Sequence, residues 1–459
     1  MTHQEKEFRD GNILSLLIRF SIPATFAILI GIIYNVTDRY YIGQAVGRNG
    51  ISALAVTFPI LLVLSATGVL FSIGGCALAG IKMGEEKIED ARKVLGTCFF
   101  ALIAIGAVYT IFGMLFLEEI VSFMGATENS FGYAVEYNKY LFPVTIFQLI
   151  YITYCSFVRL EGRPMESMVI NLASAIVNII LDYILIMRYG MGMKGAAIAT
   201  AVANVVPGVI LIYHFLKSDI LTLKIKYIRY DHELMKKVFY IGNSGFLNQF
   251  LNGAYVYVLN IQLAKYGGDI ALAGMGILSL LRTCINTGYM GLNQGRQPLL
   301  SYNWGAKNYE RVKKIFYSSI TLTAIISLFL LFAVIVNAHT VVNFFVKNDP
   351  ELTDYTIRGT YIHLGLMIST AIYLSCTNYF QAVGKGMITT RFIILRLAVL
   401  SIPLTYIPLT YILPVFWGAD GVLLSFPVAD TICCIGAAYV MWKEIKLLTR
   451  RAEKQKRYS

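Results

Sequence analysis

The segment LSLLIRFSIPATFAILIGII, residues 14–33, is twenty residues long and carries one charge, Arg19. At about 1.5 Å per residue such a helix crosses the roughly 30 Å hydrocarbon core of a bilayer. The rest of the chain has the same character. Of 459 residues, 57% are hydrophobic and 14% charged, where a soluble domain carries roughly 25% charged residues. There is too little polar surface for water, so the bilayer is the solvent. Twelve spans are predicted, at 14–41, 51–80, 94–117, 134–157, 165–187, 193–216, 237–263, 271–297, 314–337, 357–381, 389–413 and 419–442. The fold class is all-α integral membrane. The polar start MTHQEKEFRDGN runs directly into span 1, which predicts a retained first helix rather than a cleaved signal.

The net charge of +12 does not point to nucleic acid, because its distribution follows the membrane. The terminal segments and even-numbered loops, with the span ends adjoining them, hold 27 Lys and Arg against 7 on the odd side. By the positive-inside rule both termini are cytoplasmic. The basic tail KEIKLLTRRAEKQKRY then serves as a membrane-surface stop. The seven cysteines lie in apolar segments with no CxxC pair or Cys/His cluster, which reads as core packing and not metal ligation.

The chain repeats itself. KMGEEKIEDARKVLG after span 2 is echoed by NWGAKNYERVKKIF after span 8, matching Gly84 with Gly305, Glu89 with Glu310 and Lys93 with Lys314. FVRLEGRPM after span 4 is echoed by YFQAVGKGM after span 10, with Gly162 against Gly384. GMKGAA before span 6 is echoed by GADGVL before span 12. Three echoes in one order define two six-helix lobes, 1–228 and 229–459, joined by KSDILTLKIKYIRYDHELMKK, where a short surface helix is expected. Six is an even number, so the repeat is parallel in the membrane. Transporters of repeated design bind substrate at the repeat interface and alternate its access.

Polar residues at membrane depth are costly and mark function or partnership. Gly31, Tyr34, Asn35 and Asp38 fall at i, i+3, i+4 and i+7 of span 1, one helix face, and Asn178 and Asp182 share a face of span 5. Counting along the helices brings Asp38, Asp182 and Thr200 of span 6 to similar depth near the outer side. Oxygen ligands of this kind suit Na⁺, and two carboxylates suit proton capture. The other reading is interhelical hydrogen bonding, with Asp38 paired to Arg39. Pro23 and Pro207 interrupt spans 1 and 6, as static kinks or as bends that respond to ion binding. Tyr34, Asn35, Tyr140, Gln148 and Tyr151 line a substrate cavity or, for the tyrosines, anchor at the interface. Arg282, Arg396 and Asp430 are the second half's mid-membrane charges, either a structural pair or an anion or headgroup site.

These stretches carry a resemblance. SIP at 21–23, Asp38 followed by YYIGQ, FPI at 58–60, the loop glycines, and NIILDYILI at 178–186 followed by GMKGAAIAT at 192–200 are similar to the multidrug and toxic compound extrusion transporters, nearest to their bacterial small-multidrug branch. The resemblance implies two helical lobes in a V and export of lipophilic cationic drugs, driven by Na⁺ or H⁺, across the bacterial cytoplasmic (inner) membrane. No cofactor beyond the coupling ion, no catalysis and a monomer are expected. It also implies a cation site of Asp38, Asn178, Asp182 and Thr200. Two departures stand out: Tyr183 follows Asp182 where the family often has proline, and Asn248, Gln249, Asn252 and Asn378 stand where some members carry second-half carboxylates. Any ion site is therefore expected in the first half. A lipid-diphosphate flippase of related architecture is the alternative, disfavoured by the acidic first-half residues. No HExxH or selectivity-filter pattern supports a membrane enzyme or a channel.

Overall fold

The computed structural model describes residues 3–345, 349–397 and 406–458, and among these every regular element is helical. Spans 1 to 3 are the helices Ile13–Ala45, Arg48–Gly84 and Ile88–Leu115. Span 4 runs from Glu128 to Leu160, tightened by a 3₁₀ turn at Phe142–Val144, where Pro143 cannot donate to the helix. Span 5 is Pro164–Asp182 continued by a π-helical turn at Tyr183–Arg188, and span 6 is Gly192–Lys217. Spans 7 and 8 lie in one run, His232–Gly305, broken at Gly268 with φ 59°. Span 9 is Tyr309–Val336, and span 10 is the pair Pro350–Leu364 and Met367–Ala382. Span 11 begins as Gly386–Leu397, and its predicted middle falls outside the described residues. The run Tyr406–Tyr458, broken at Gly418 with φ 56°, carries its end and span 12. The described residues thus carry all or part of each of the twelve predicted spans.

The repeat extends to backbone conformation. Gly162 and Gly384 both turn left-handed, at φ 79° and 78°. So do Glu86 and Lys307, at φ 62° and 55°, although neither is glycine. An L-residue enters this region only where surrounding structure demands it. Matched strain at matched positions reflects one six-helix plan used twice.

The described residues pack as two units, Met1–Glu7 with Ile22–Phe246, and Phe8–Ser21 with Leu247–Ser459. The repeat boundary at 228/229 is therefore not where the packing divides. Each half's first helix lends its opening turns to the unit that holds the other half. In the first unit span 7 crosses span 2 so closely that a Cβ on Gly242 would sit 2.0 Å from the Leu70 carbonyl oxygen, and one on Gly74 2.2 Å from that of Val238. In the second unit Gly295 of span 8 admits span 1, with a Cβ there 2.7 Å from Ser21 N. Small residues permit such approach of membrane helices, where lipid supplies no hydrophobic drive.

The connecting segment after span 6 is pinned to the first unit. It holds only the 3₁₀ turn Ile225–Tyr227, not the surface helix expected from sequence, because its polar groups bond to the bundle instead of to one another. Glu161, buried at the end of span 4, accepts from Ser218 Oγ, from Leu221 N at 2.9 Å and pairs with His214 at 2.7 Å. Arg92 donates to the carbonyls of Asp219 and Ile220, both at 2.8 Å. The Tyr227 hydroxyl donates to Glu89, which with Lys226 nearby holds that carboxyl below the usual carboxylate range. Glu161→Ala strands several buried donors at about 1–3 kcal/mol. We expect trypsin to cut the detergent-solubilised variant at Lys224, Lys226 or Arg229 about tenfold faster than the wild type, at unchanged cutting elsewhere. Equal rates would show that Glu161 does not hold the segment.

Candidate functional site

Spans 1, 5 and 6 bring together a set of buried oxygens. Asp38, Asn178, Asp182 and Thr200 are all buried, Asp182 completely. Asp38 and Asp182 lie within electrostatic range of each other, and both lie within range of Tyr34 and Tyr137. The alternative Asp38–Arg39 salt bridge is not seen: Arg39 is exposed and within electrostatic range of Asp38, but among the described residues no ion pair reaches either carboxylate. Asp38 Oδ1, both carboxylate oxygens of Asp182 and both amide atoms of Asn178 have no hydrogen-bond partner. Buried polar groups are nearly always satisfied, and an uncompensated buried charge costs several kcal/mol. Five such atoms on spans 1 and 5 single this set out as the candidate binding site.

The local sequence explains the aim of these groups. Asn178 and Asp182 are one turn apart at the end of Pro164–Asp182, and the π turn that follows widens the helix directly after Asp182. Such π insertions occur often at functional sites. Thr200 takes part in a hydrogen bond with the Tyr137 hydroxyl at 3.3 Å, and its carbonyl accepts from Asn204 Nδ2 at 2.9 Å.

Adjoining this set is a small cavity of about 40 Å³, lined among others by Gly31, Tyr34, Tyr151, Asn171, Ser174, Thr200 and Asn204. Tyr34 and Tyr151 both line it, the latter fixed by its hydroxyl's bond to Asn171 at 2.7 Å. Asn35, Tyr140 and Gln148 are not among its lining: Asn35 is exposed and donates to the Gly31 carbonyl, and Tyr140 packs in the apolar cluster beside spans 4 and 6. Pro23 and Pro207 are both buried within continuous helices. Sequence reading passed over Asn171, Ser174 and Asn204. The signal was present, since Asn171, Ser174 and Asn178 share a face of span 5, as do Thr200 and Asn204 on span 6.

In the second unit, Arg396 Nε pairs with Asp430 Oδ1 at 2.7 Å, and Thr370 donates to the other oxygen of Asp430. Arg282 takes no part in that pair.

A duplicated, parallel, twelve-span helical protein with orphaned carboxylates buried in one half is a membrane transporter, not an enzyme. The chain belongs to the MatE family: the model of that name matches it twice, over residues 23–184 and 246–407, so the repeat is also a repeat of the family's unit. Its relatives include the multidrug export protein MepA of Staphylococcus saprophyticus, 29% identical over 442 residues and 95% of each chain. MepA of Staphylococcus aureus strain N315 is likewise 29% identical, over 438 residues and 95% of each chain. Among solved structures, the fold matches a crystal structure of MATE in complex with MaL6 at a TM-score of 0.91, with 19% identity over 98% of this chain and all of that one.

Proposed function

We propose that this protein is a secondary active multidrug antiporter that exports lipophilic organic cations across the bacterial cytoplasmic membrane in exchange for Na⁺ or H⁺. The observation that carries the reading is the orphaned pair Asp38 and Asp182 with Asn178 beside them, next to a cavity that includes Thr200. The name of the MepA relatives supports multidrug export.

In this reading Asp38, Asn178, Asp182 and Thr200 bind the coupling ion, which lowers the repulsion between the two carboxylates. Tyr34 and Tyr151 contact drug in the cavity through the attraction of aromatic faces for cations, and Asn35, Tyr140 and Gln148 contact it beyond that cavity. Span 1 bends at Pro23, and span 6 at Pro207, as the ion enters. The packing supports the first bend, because the chain passes from one unit to the other between Ser21 and Ile22, two residues before Pro23. The two lobes 1–228 and 229–459 alternate in access, the termini stay cytoplasmic, and the monomer suffices.

Purified protein in liposomes tests this directly. Ethidium uptake into inside-out proteoliposomes is expected to follow an imposed Na⁺ or H⁺ gradient and to cease when that gradient is collapsed. Movement of lipid diphosphates or anions alone, with no gradient-dependent ethidium flux, would favour a flippase instead.

A further inference from the structure

Among the described residues of the second unit, one buried-cluster cation, Arg282, has no salt-bridge partner. Spans 7, 8, 10, 11 and 12 converge on Phe426, which is 5% exposed. The Arg282 guanidinium lies 4.4 Å from its ring centroid and that of Arg396 5.8 Å. The His363 and Tyr255 rings stand 5.2 Å and 5.7 Å away. Two arginines thus share this cluster with one carboxylate, Asp430, and its paired oxygen is taken by Arg396.

Arg282 is left over. Among the described residues nothing accepts from its Nε or Nη1, although both atoms are buried. Another buried arginine shows what this fold does when a guanidinium is structural. Arg296, fully buried on the same span, donates to Ser319 Oγ at 2.9 Å, Asn378 Oδ1 at 3.3 Å and the Ser375 carbonyl. Arg282 has no such set. Arginine cannot lose its proton to escape the cost of burial, so its N–H groups require an acceptor.

His363 is also unsatisfied, but as an acceptor. It is completely buried, its Nδ1 faces the Leu423 carbonyl at 3.0 Å, and its Nε2 has no partner. A carbonyl only accepts, so Nδ1 carries the hydrogen and Nε2 is left open. An orphaned donor, Arg282, and an orphaned acceptor, His363 Nε2, lie beside one aromatic ring, and Arg282 itself is part-exposed and so reachable.

We propose that Arg282 forms a binding site for a monovalent oxyanion, a carboxylate or a phosphate, in the second half of the transporter, with His363 Nε2 beside it able to accept from a hydroxyl that the ligand carries. The Arg396–Asp430 pair is its structural wall: it fixes the one nearby carboxylate and so keeps Arg282 available. Charge-assisted bonds from guanidinium to oxyanion are among the stronger polar contacts, and at membrane depth no water replaces them. The first half thereby presents orphaned carboxylates and the second an orphaned cation, so each recognises charge of opposite sign. This site does not depend on the coupling-ion reading.

The test uses the full-length detergent-purified protein with three probes: sodium benzoate, inorganic phosphate, and nanodiscs of phosphatidylglycerol compared with phosphatidylcholine. We expect saturable binding of at least one oxyanion probe, weakened about tenfold or more by Arg282→Gln, largely kept by Arg282→Lys, and unchanged by Asp38→Asn. Benzoate binding identifies a substrate carboxylate as the source, and preference for phosphatidylglycerol alone a lipid phosphate. If Arg282→Gln fails to fold, hydrogen–deuterium exchange of the wild type decides: the bound probe should protect the segments around Arg282 and His363 and leave span 1 unaffected. No saturable binding of any probe, equal binding by Arg282→Gln, or protection confined to span 1 would overturn the assignment.

Discussion

Asp38→Asn and Asp182→Asn each reduce gradient-driven ethidium transport to the rate of protein-free liposomes while leaving thermal stability in detergent unchanged or raised. The two halves of this expectation come from the same observation. Asp38 Oδ1 and both oxygens of Asp182 are buried with no partner. A buried charge without compensation destabilises the fold that contains it. The amide of asparagine keeps the shape and removes the charge, so folding loses no interaction and is relieved of a desolvation penalty. Transport loses the charge that a coupling ion neutralises, and with it the step by which the gradient does work. A structural salt bridge predicts the opposite signature, with stability falling by 3–5 kcal/mol, as when one partner of a buried pair is removed, and transport surviving in the molecules that fold. Measuring flux and melting on the same preparation separates the two. Near-normal flux in both variants would remove these carboxylates from the transport cycle.

The second large effect concerns the crossing of spans 2 and 7. Gly242→Ala should lower stability by about 1–3 kcal/mol, and Gly242→Leu should prevent accumulation of folded protein in the membrane. The new Cβ meets the Leu70 carbonyl oxygen at 2.0 Å and the Gly74 nitrogen at 3.2 Å, which are backbone atoms of a helix and cannot rotate aside. The helices must separate, and the contacts along their length weaken together. Gly132→Ala is the control. It lies in the helix Glu128–Leu141 with nothing within 4 Å of its added Cβ, so it should be neutral or slightly stabilising through helix propensity. A Gly242→Ala variant as stable as Gly132→Ala would show that the crossing is looser than the backbone distances state.

Much was legible in the chain itself. Twenty apolar residues have one solution in a bilayer, because every backbone group must be satisfied within the segment. Segments such as 14–33 therefore read directly as spans. The echoes after spans 2 and 4 and before span 6 revealed the duplication, and the left-handed pairs Gly162 with Gly384 and Glu86 with Lys307 follow from it. Helical periodicity placed Asn178 with Asp182 and Asp38 with Tyr34, since residues three, four and seven apart share a face whatever the helix touches.

What lies across from each face was decided only by tertiary structure. Periodicity says nothing of how far a helix is turned about its own axis, or which neighbour it meets; that depends on small residues far apart in the chain. So Tyr137 and not Tyr140 meets Thr200, and Asn171 and Asn204 enter the cavity lining. Asp430 pairs with Arg396, leaving Arg282 unsatisfied, a choice that depth counting could not make among three charges at the same level. The opening turns of spans 1 and 7 changed units for the same reason: Gly295, Gly74 and Gly242 leave room for a backbone to come close, and a helix packs where it can approach, not where its repeat began.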